Sequence, residues 1–164
     1  MVERDFFAIL EALHHGGVDF ILVGGLAANL DGATAKTFDI DVVHSREAGN
    51  LERLLKVLQS MEAVYRIQPE RRLRPDLSHV GGRGHLNLVT RYGPLDVLCT
   101  IGRGRSYDDL LPHSVEMDVG NGVRIRVLDL ETLIAVKEEV GGGKDREVLT
   151  NLRATLEEQR KLGL

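Results

Sequence analysis

The 164-residue sequence contains no tryptophan, one cysteine and four prolines, and aromatic residues make up only 4% of it. The single cysteine, Cys99, cannot form an internal disulfide, and we interpret it as a small core residue rather than a reactive thiol. No apolar run approaches the ~20 residues of a membrane-spanning helix, and the start MVERDFFAIL does not resemble a signal peptide. These absences argue against a disulfide-built secreted scaffold and predict a cytoplasmic protein without membrane segments.

Charge is nearly balanced, with 25 acidic and 21 basic side chains and a formal net charge of -4. The chain as a whole therefore has no electrostatic attraction for nucleic acid or membranes, so such a partner would need a local patch. Hydrophobic residues make up 43% of the sequence, which is ordinary for a globular protein. We expect one folded domain over residues 1–164, because no linker marks a second one.

Apolar residues switch repeatedly between helical and strand spacing along the chain. This pattern predicts helices at about 6–13, 26–30 and 51–60, two C-terminal helices around glycines 141 to 143, and strands at 18–23, 37–44 and 62–68. Two hairpins are predicted to follow, 85–90 with 94–100 and 114–119 with 122–128. The alternation predicts an α/β (α+β) fold in which helices flank a mixed sheet.

The first predicted hairpin places polar residues on one face. With a turn centred on Tyr92 and Gly93, Asp96 would pair with Val89, and His85, Asn87 and Asp96 would share that face. Arginine and glycine also cluster at 71–74, 81–84 and 102–105. We interpret these clusters as solvated loops, with docking of a polyanion such as RNA as the alternative.

The stretch TFDIDVVH places two aspartates in a segment that otherwise has the composition of a buried strand. Alternation predicts that Phe38, Ile40 and Val42 pack, while Asp39 and Asp41 share the other face, about 6 to 7 Å apart. Two carboxylates so close repel by roughly 2 to 3 kcal/mol at an effective dielectric near 20, which favours a bound Mg²⁺. The alternative is a strand end at which both aspartates point into water.

Gly24 and Gly25 follow the strand predicted at 18–23 and open the short helix predicted at 26–30. Backbone N–H groups at such a helix start can approach a phosphate, although a tight turn or close packing also requires glycine. Neither the dinucleotide-binding fingerprint nor the P-loop motif is present. A phosphate loop beside a metal site would form a nucleotide site.

The order strand, GG, short helix and DID on the next strand resembles the nucleotidyltransferase superfamily with the polymerase β-like fold. Within it, the chain is most similar to small minimal and abortive-infection-type members. The resemblance runs from about Asp19 to Leu152 and includes GPLDVL, where Asp96 corresponds to a third carboxylate, and the tail LIAVKEEVGGGKDREVLTNL.

This resemblance implies transfer of a nucleoside monophosphate from a nucleoside triphosphate to a hydroxyl of a protein, an RNA or a small molecule. It also implies that Asp39, Asp41 and Asp96 hold Mg²⁺ and are catalytic, and that Gly24 and Gly25 hold the triphosphate.

Two positions differ from the family pattern. Ala35 stands where related members often have arginine, and Leu26 replaces a serine that often follows the glycines. Lys36 is the candidate for the missing charge, and Lys137 is a candidate phosphate contact, with an exposed or ion-paired lysine as the alternative. The differences leave open a catalytically silent binding protein, such as a toxin–antitoxin partner, acting with another protein or as a homodimer. A metal-dependent phosphohydrolase is a third alternative.

Overall fold

The structure is a computed structural model, and it describes residues 4–141 and 146–163. Lys144 and Asp145 of the tail motif lie outside the described residues. The α-helices are Phe6–His15 (α1), Gly24–Leu30 (α2), Ala48–Ser60 (α3), Leu77–Val80 (α4), Tyr107–Leu110 (α5), Leu130–Val140 (α6) and Arg146–Lys161 (α7). Within the described ranges, no helix combines the length and the apolar character needed to cross a membrane.

Nine strands occur in the described residues. They are Phe20–Val23 (β1), Ile40–His44 (β2), Val64–Tyr65 (β3), Leu86–Thr90 (β4), Gly93–Leu98 (β5), Thr100–Ile101 (β6), Arg105–Ser106 (β7), Ser114–Asp118 (β8) and Arg124–Leu128 (β9). Seven form one sheet in the order β3-β4-β5-β2-β1-β9-β8, and β6 pairs with β7. The sheet is mixed, because β2 with β5 and β1 with β9 are parallel while its other pairs are antiparallel. The predicted α/β class is therefore confirmed.

The centre of the sheet is buried on both faces. Ile21 and Leu22 of β1 point in opposite directions and are both fully buried. Leu13 of α1, Leu54 of α3 and Ile134 of α6 belong to the same apolar cluster. Because β1 and β2 are neighbours at this centre, the residues at their ends stand on a rigid support.

Strand β2 begins later than the sequence pattern predicts. It starts at Ile40, and Phe38 is 62% exposed, so the prediction that Phe38 packs in the core is wrong. Before the strand, the Thr37 hydroxyl donates to the carbonyl of Asp39 at 2.8 Å, which gives this segment a local bond. The guanidinium of Arg4 lies 5.2 Å from the centre of the Phe38 ring, outside the core.

The β4–β5 hairpin has a different register from the predicted one. Asp96 pairs with Asn87, not with Val89. The Thr90 hydroxyl accepts from the Tyr92 N–H at 3.1 Å and donates to the Gly93 carbonyl at 2.9 Å. These bonds fix a turn centred one residue earlier than predicted. The displacement is two positions along one strand, so side-chain parity is unchanged, and Asn87 and Asp96 share a face as predicted.

The arginine cluster at 102–105 is more structured than a solvated loop, whereas the residues at 71–74 are exposed. The cluster at 71–74 is followed by α4, whose N-cap Asp76 accepts from the His79 N–H at 3.0 Å. In the cluster at 102–105, the Arg103 N–H donates to the Glu139 carboxylate at 3.0 Å, and Arg105 Nε donates to it at 2.8 Å. Glu139 lies on α6, so it anchors this loop to the helix.

Candidate active site

The glycine turn lies directly beside Asp41. Val23, the last residue of β1, pairs with Asp41 across the antiparallel β1–β2 ladder. Gly24 follows with φ +74°, and a Cβ atom there would lie 2.2 Å from Asp41 Oδ2. A Cβ on Gly25 would lie 3.2 Å from the Lys36 carbonyl oxygen. The backbone conformation and the close approach to Asp41 therefore require glycine at position 24, and the packing around Gly25 is tight.

Three carboxylates meet beside the end of β1, on and next to the interior strands β2 and β5. Asp41 and Asp96 are register partners in the parallel β2–β5 pair, and Asp39 directly precedes β2. One oxygen from each of Asp39, Asp41 and Asp96 lies within 4.8 Å of the other two. The structure thus brings together the three aspartates that the sequence singled out, as an aspartate cluster of oxygen donors that could hold a metal ion.

Burial and mutual repulsion perturb the acidity of this aspartate cluster. The pKa of Asp39 is raised to about 6, first by burial and then by a hydrogen bond and repulsion involving Asp96. The pKa of Asp41 is raised to about 8, first by burial and then by repulsion from Asp39. In both cases Arg66 acts in the opposite direction. The carboxylates are therefore hard to ionise together, and a cation bound among them would relieve the repulsion.

Arg66 is the site residue that the sequence analysis missed. Its Nη2 donates to Asp96 Oδ1 at 2.9 Å, and its Nη1 lies 3.7 Å from Asp39 Oδ2. Arg66 directly follows the two-residue strand β3, at the far edge of the sheet from β1. Its place in the predicted strand 62–68 was the only available signal, because nothing in the sequence pairs that strand with β4.

A cavity of about 950 Å³ opens beside the aspartates. Its lining includes Gly24 and Gly25, the segment 34–39, Asp41, and side chains from α2, α6 and α7. Both candidate lysines, Lys36 and Lys137, are in the lining. The glycine turn, two of the aspartates and both lysines therefore belong to one pocket, as a single ligand site requires.

The order of the strands in the sheet fixes the relative positions of the site residues. The glycine turn extends from β1, Asp41 lies on β2, and Asp96 lies on β5, the next strand along. Strand β4 comes next, and then β3, which leads into Arg66. Asp96 and Arg66 therefore stand on one side of Asp41, and the glycine turn stands on the other.

Comparison with known proteins gives a match at the level of structure only. No protein-family model matches the sequence, and no curated protein matches it. Among solved structures, the lincomycin-bound lincosamide antibiotic adenylyltransferase LnuA superposes with a TM-score of 0.59 and 14% sequence identity, covering 93% of this chain and 99% of that chain. A candidate nucleotidyltransferase from Thermotoga maritima has a TM-score of 0.54 and 16% identity, covering 93% and 90%. At these identities the similarities show the fold alone, and they do not bear on the abortive-infection-type subgroup.

Proposed function

We propose that this chain, which has the fold of the nucleotidyltransferases, transfers a nucleoside monophosphate from a nucleoside triphosphate to a hydroxyl acceptor with Mg²⁺. The observation that carries the proposal is the cluster of Asp39, Asp41 and Asp96, with oxygens within 4.8 Å of one another beside a glycine turn. Carboxylate oxygens are the donors that Mg²⁺ prefers, and Mg²⁺ completes its coordination with water and substrate phosphates. The donor set therefore fits this ion.

The transfer makes one bond and breaks one. The acceptor oxygen attacks the α-phosphorus, a new O–P bond forms, the bond from the α-phosphorus to the bridging oxygen breaks, and pyrophosphate leaves. We assign Asp96 to accept the hydroxyl proton, because it lies on the opposite side of Asp41 from the glycine turn. Mg²⁺ held by the aspartates would supply positive charge to the phosphoryl oxygens.

The cavity provides the proposed nucleotide subsite. Gly24 and Gly25 would present backbone N–H groups to the triphosphate, and Lys36 and Lys137 approach the same space from two other segments. The cavity volume of about 950 Å³ lies within the range of small-molecule sites. Exposed Phe38 adds an aromatic surface to the cavity wall, which suits a nucleobase.

Three classes of acceptor remain candidates: a small molecule, an RNA end and a protein side chain. LnuA is an adenylyltransferase of a lincosamide antibiotic, so a small-molecule hydroxyl is the first class to test. The catalytically silent toxin–antitoxin-type partner remains the alternative function, because Ala35, which lines this pocket, and Leu26, which follows Gly25, depart from the family pattern.

The test is incubation with labelled ATP, CTP, GTP and UTP plus Mg²⁺ and each acceptor class, following pyrophosphate release and transfer of the label. We expect transfer with at least one nucleotide, and its loss in Asp39→Asn. Asp108→Asn is the matched control, since Asp108 is an exposed aspartate on α5, outside the cavity lining. Release of orthophosphate instead would favour the phosphohydrolase. Absence of turnover together with binding of a partner protein would favour the silent alternative.

A further inference from the structure

Arg66 stands at the end of a row of residues that crosses the sheet at the level of the aspartates. Its backbone N–H donates to the carbonyl of Asn87 at 2.9 Å, extending the β3–β4 ladder by one residue. Asn87 pairs with Asp96, and Asp96 pairs with Asp41. Directly paired residues on neighbouring strands point to the same face of a sheet. The arginine side chain therefore shares the face of the carboxylates and reaches them over Asn87.

The guanidinium of Arg66 bridges two of the three aspartates. Nη2 donates both to Asp96 Oδ1 and to the carbonyl of Leu88, each at 2.9 Å, and Nη1 lies 3.7 Å from Asp39 Oδ2. The Asp96 side chain is 14% exposed, so water screens its ion pair with Arg66 poorly. A divalent cation would use carboxylate oxygens of the same residues, so the guanidinium and the cation compete for them.

The hydrogen bonding of Arg66 is incomplete in this position. Its Nε atom is buried and has no hydrogen-bond partner within the described residues. A buried donor without a partner costs free energy that another side-chain position or a ligand oxygen recovers. The aspartates supply two contacts of the guanidinium and the Leu88 carbonyl supplies a third, so neutralising the charge of the aspartates weakens its attachment.

We propose that Arg66 is an internal counter-ion of the aspartate cluster and that it weakens binding of a free divalent cation, so that the cation binds more tightly together with a triphosphate than alone. The inference rests on the proposed function, because it concerns the same metal site. A cation alone brings two positive charges beside a guanidinium, whereas a triphosphate brings oxygen ligands and negative charge with it. Arg66 acts here as a positioning residue, since it contacts the carboxylates and not the reacting atoms.

Titration with Mn²⁺ alone, followed by electron paramagnetic resonance, tests this inference on the full chain. We expect Arg66→Gln to bind Mn²⁺ about tenfold more tightly than the wild type, because one repelling charge has been removed. Arg66→Lys keeps the charge and should stay near the wild type. Arg91→Gln is the matched control, since Arg91 pairs with Glu62 at 3.6 Å on the β4–β5 turn and should leave Mn²⁺ affinity unchanged.

Equal or weaker Mn²⁺ binding by folded Arg66→Gln overturns the inference, because an arginine that only supports Asp96 would lower affinity when it is lost. If wild type and Arg66→Gln bind Mn²⁺ equally well, the inference alone fails. If no variant binds Mn²⁺, the proposed metal site fails and the inference fails with it.

Chemical modification of the wild type keeps the inference testable if Arg66→Gln does not fold. Phenylglyoxal reacts with accessible guanidinium groups, and peptide mass spectrometry compares Arg66 with Arg91 in the same sample. We expect saturating Mn²⁺ to raise the modification rate of Arg66 severalfold by displacing it from Asp96, with the rate at Arg91 unchanged. An Arg66 rate that does not respond to Mn²⁺ overturns the inference.

Discussion

Replacing Asp41 with asparagine distinguishes a carboxylate held for a cation from one held for the fold. Asp41 is half-buried between the glycine turn and the other two aspartates. Burial and then repulsion from Asp39 raise its pKa from 3.8 to about 8. An acid with a raised pKa in the folded state destabilises the fold increasingly as pH rises from the unfolded to the folded pKa. The folded protein therefore loses stability through Asp41 between about pH 4 and pH 8.

The magnitude follows from the size of that interval. At about 1.4 kcal/mol for each pH unit, the interval from 3.8 to about 8 sets an upper limit of about 6 kcal/mol. Asp39 shares the proton and water reaches the half-buried side chain, so we expect about 2 kcal/mol. For 164 residues, about 2 kcal/mol corresponds to a change in Tm of about 6 °C.

Thermal unfolding followed by circular dichroism at pH 4.5 and pH 8 measures this effect. In EDTA, Asp41→Asn should melt about 6 °C above the wild type at pH 8, and most of the gain should disappear at pH 4.5. Mg²⁺ at pH 8 should raise the Tm of the wild type and have little effect on Asp41→Asn. Asp108→Asn, at an exposed position on α5, is the control and should follow the wild type in each condition.

Two outcomes would refute the reasoning. If Asp41→Asn melts below the wild type at pH 8 in EDTA, the carboxylate supports the fold through bonds that asparagine cannot replace. If Mg²⁺ does not raise the Tm of the wild type, the aspartate cluster does not bind this ion in the folded state.

Three further changes test other parts of the site and the fold. Gly24→Ala places a Cβ 2.2 Å from Asp41 Oδ2 and should abolish Mn²⁺ binding. Gly122 has the same φ of +74° and no described atom within 4 Å of an added Cβ, so Gly122→Ala should carry backbone strain alone; equal Mn²⁺ affinities in the two variants would refute crowding of Asp41. The buried Oδ2 of Asp31 has no hydrogen-bond partner among the residues that the structure describes, and burial raises the pKa of Asp31 to about 7. Asp31→Asn should therefore raise the Tm at pH 8 and much less at pH 4.5, and a gain independent of pH would contradict the ionisation argument. Asp96→Asn should lower the transfer rate by orders of magnitude, while calorimetry with Mg²⁺ should show most of the nucleotide affinity retained. A loss of nucleotide affinity as large as the loss of transfer rate would place Asp96 on the nucleotide side.

The sequence predicted those site residues whose placement depends on local rules. Gly24 could be identified because the chain adopts a left-handed conformation there and passes close to Asp41 at the end of a strand. Glycine is the residue that suits both conditions. The two-residue period predicted Asp39 and Asp41 on one face; Asp39 lies one residue before β2, and its oxygen still meets that of Asp41. Asp96 came from resemblance, and the structure places it beside Asp41 on β5.

Local rules failed where a strand ends. The alternation that places Phe38 in the core is valid only inside the ladder, and β2 begins at Ile40. The hairpin register shifted for a related reason, since a hydroxyl–backbone bond at Thr90 selects the turn and hydrophobic pattern does not. A shift of two preserves the face of every side chain, whereas a shift of one would have turned Asp96 away from the site.

Arg66 shows why the charge balance of the site could not be read from sequence spacing. Its contact with Asp96 requires that β3 pairs with β4, that β4 pairs with β5, and that β5 lies beside β2. Of these three pairings, only the hairpin joins strands that follow each other through a short turn, and the other two depend on the packing of the whole domain. The aspartates can therefore be recognised from a short motif, but the cation that balances them in the metal-free fold directly follows the edge strand β3, two strands away from Asp96 on β5. For this reason the metal affinity of the cluster should respond to Arg66 even though the DID motif is left intact.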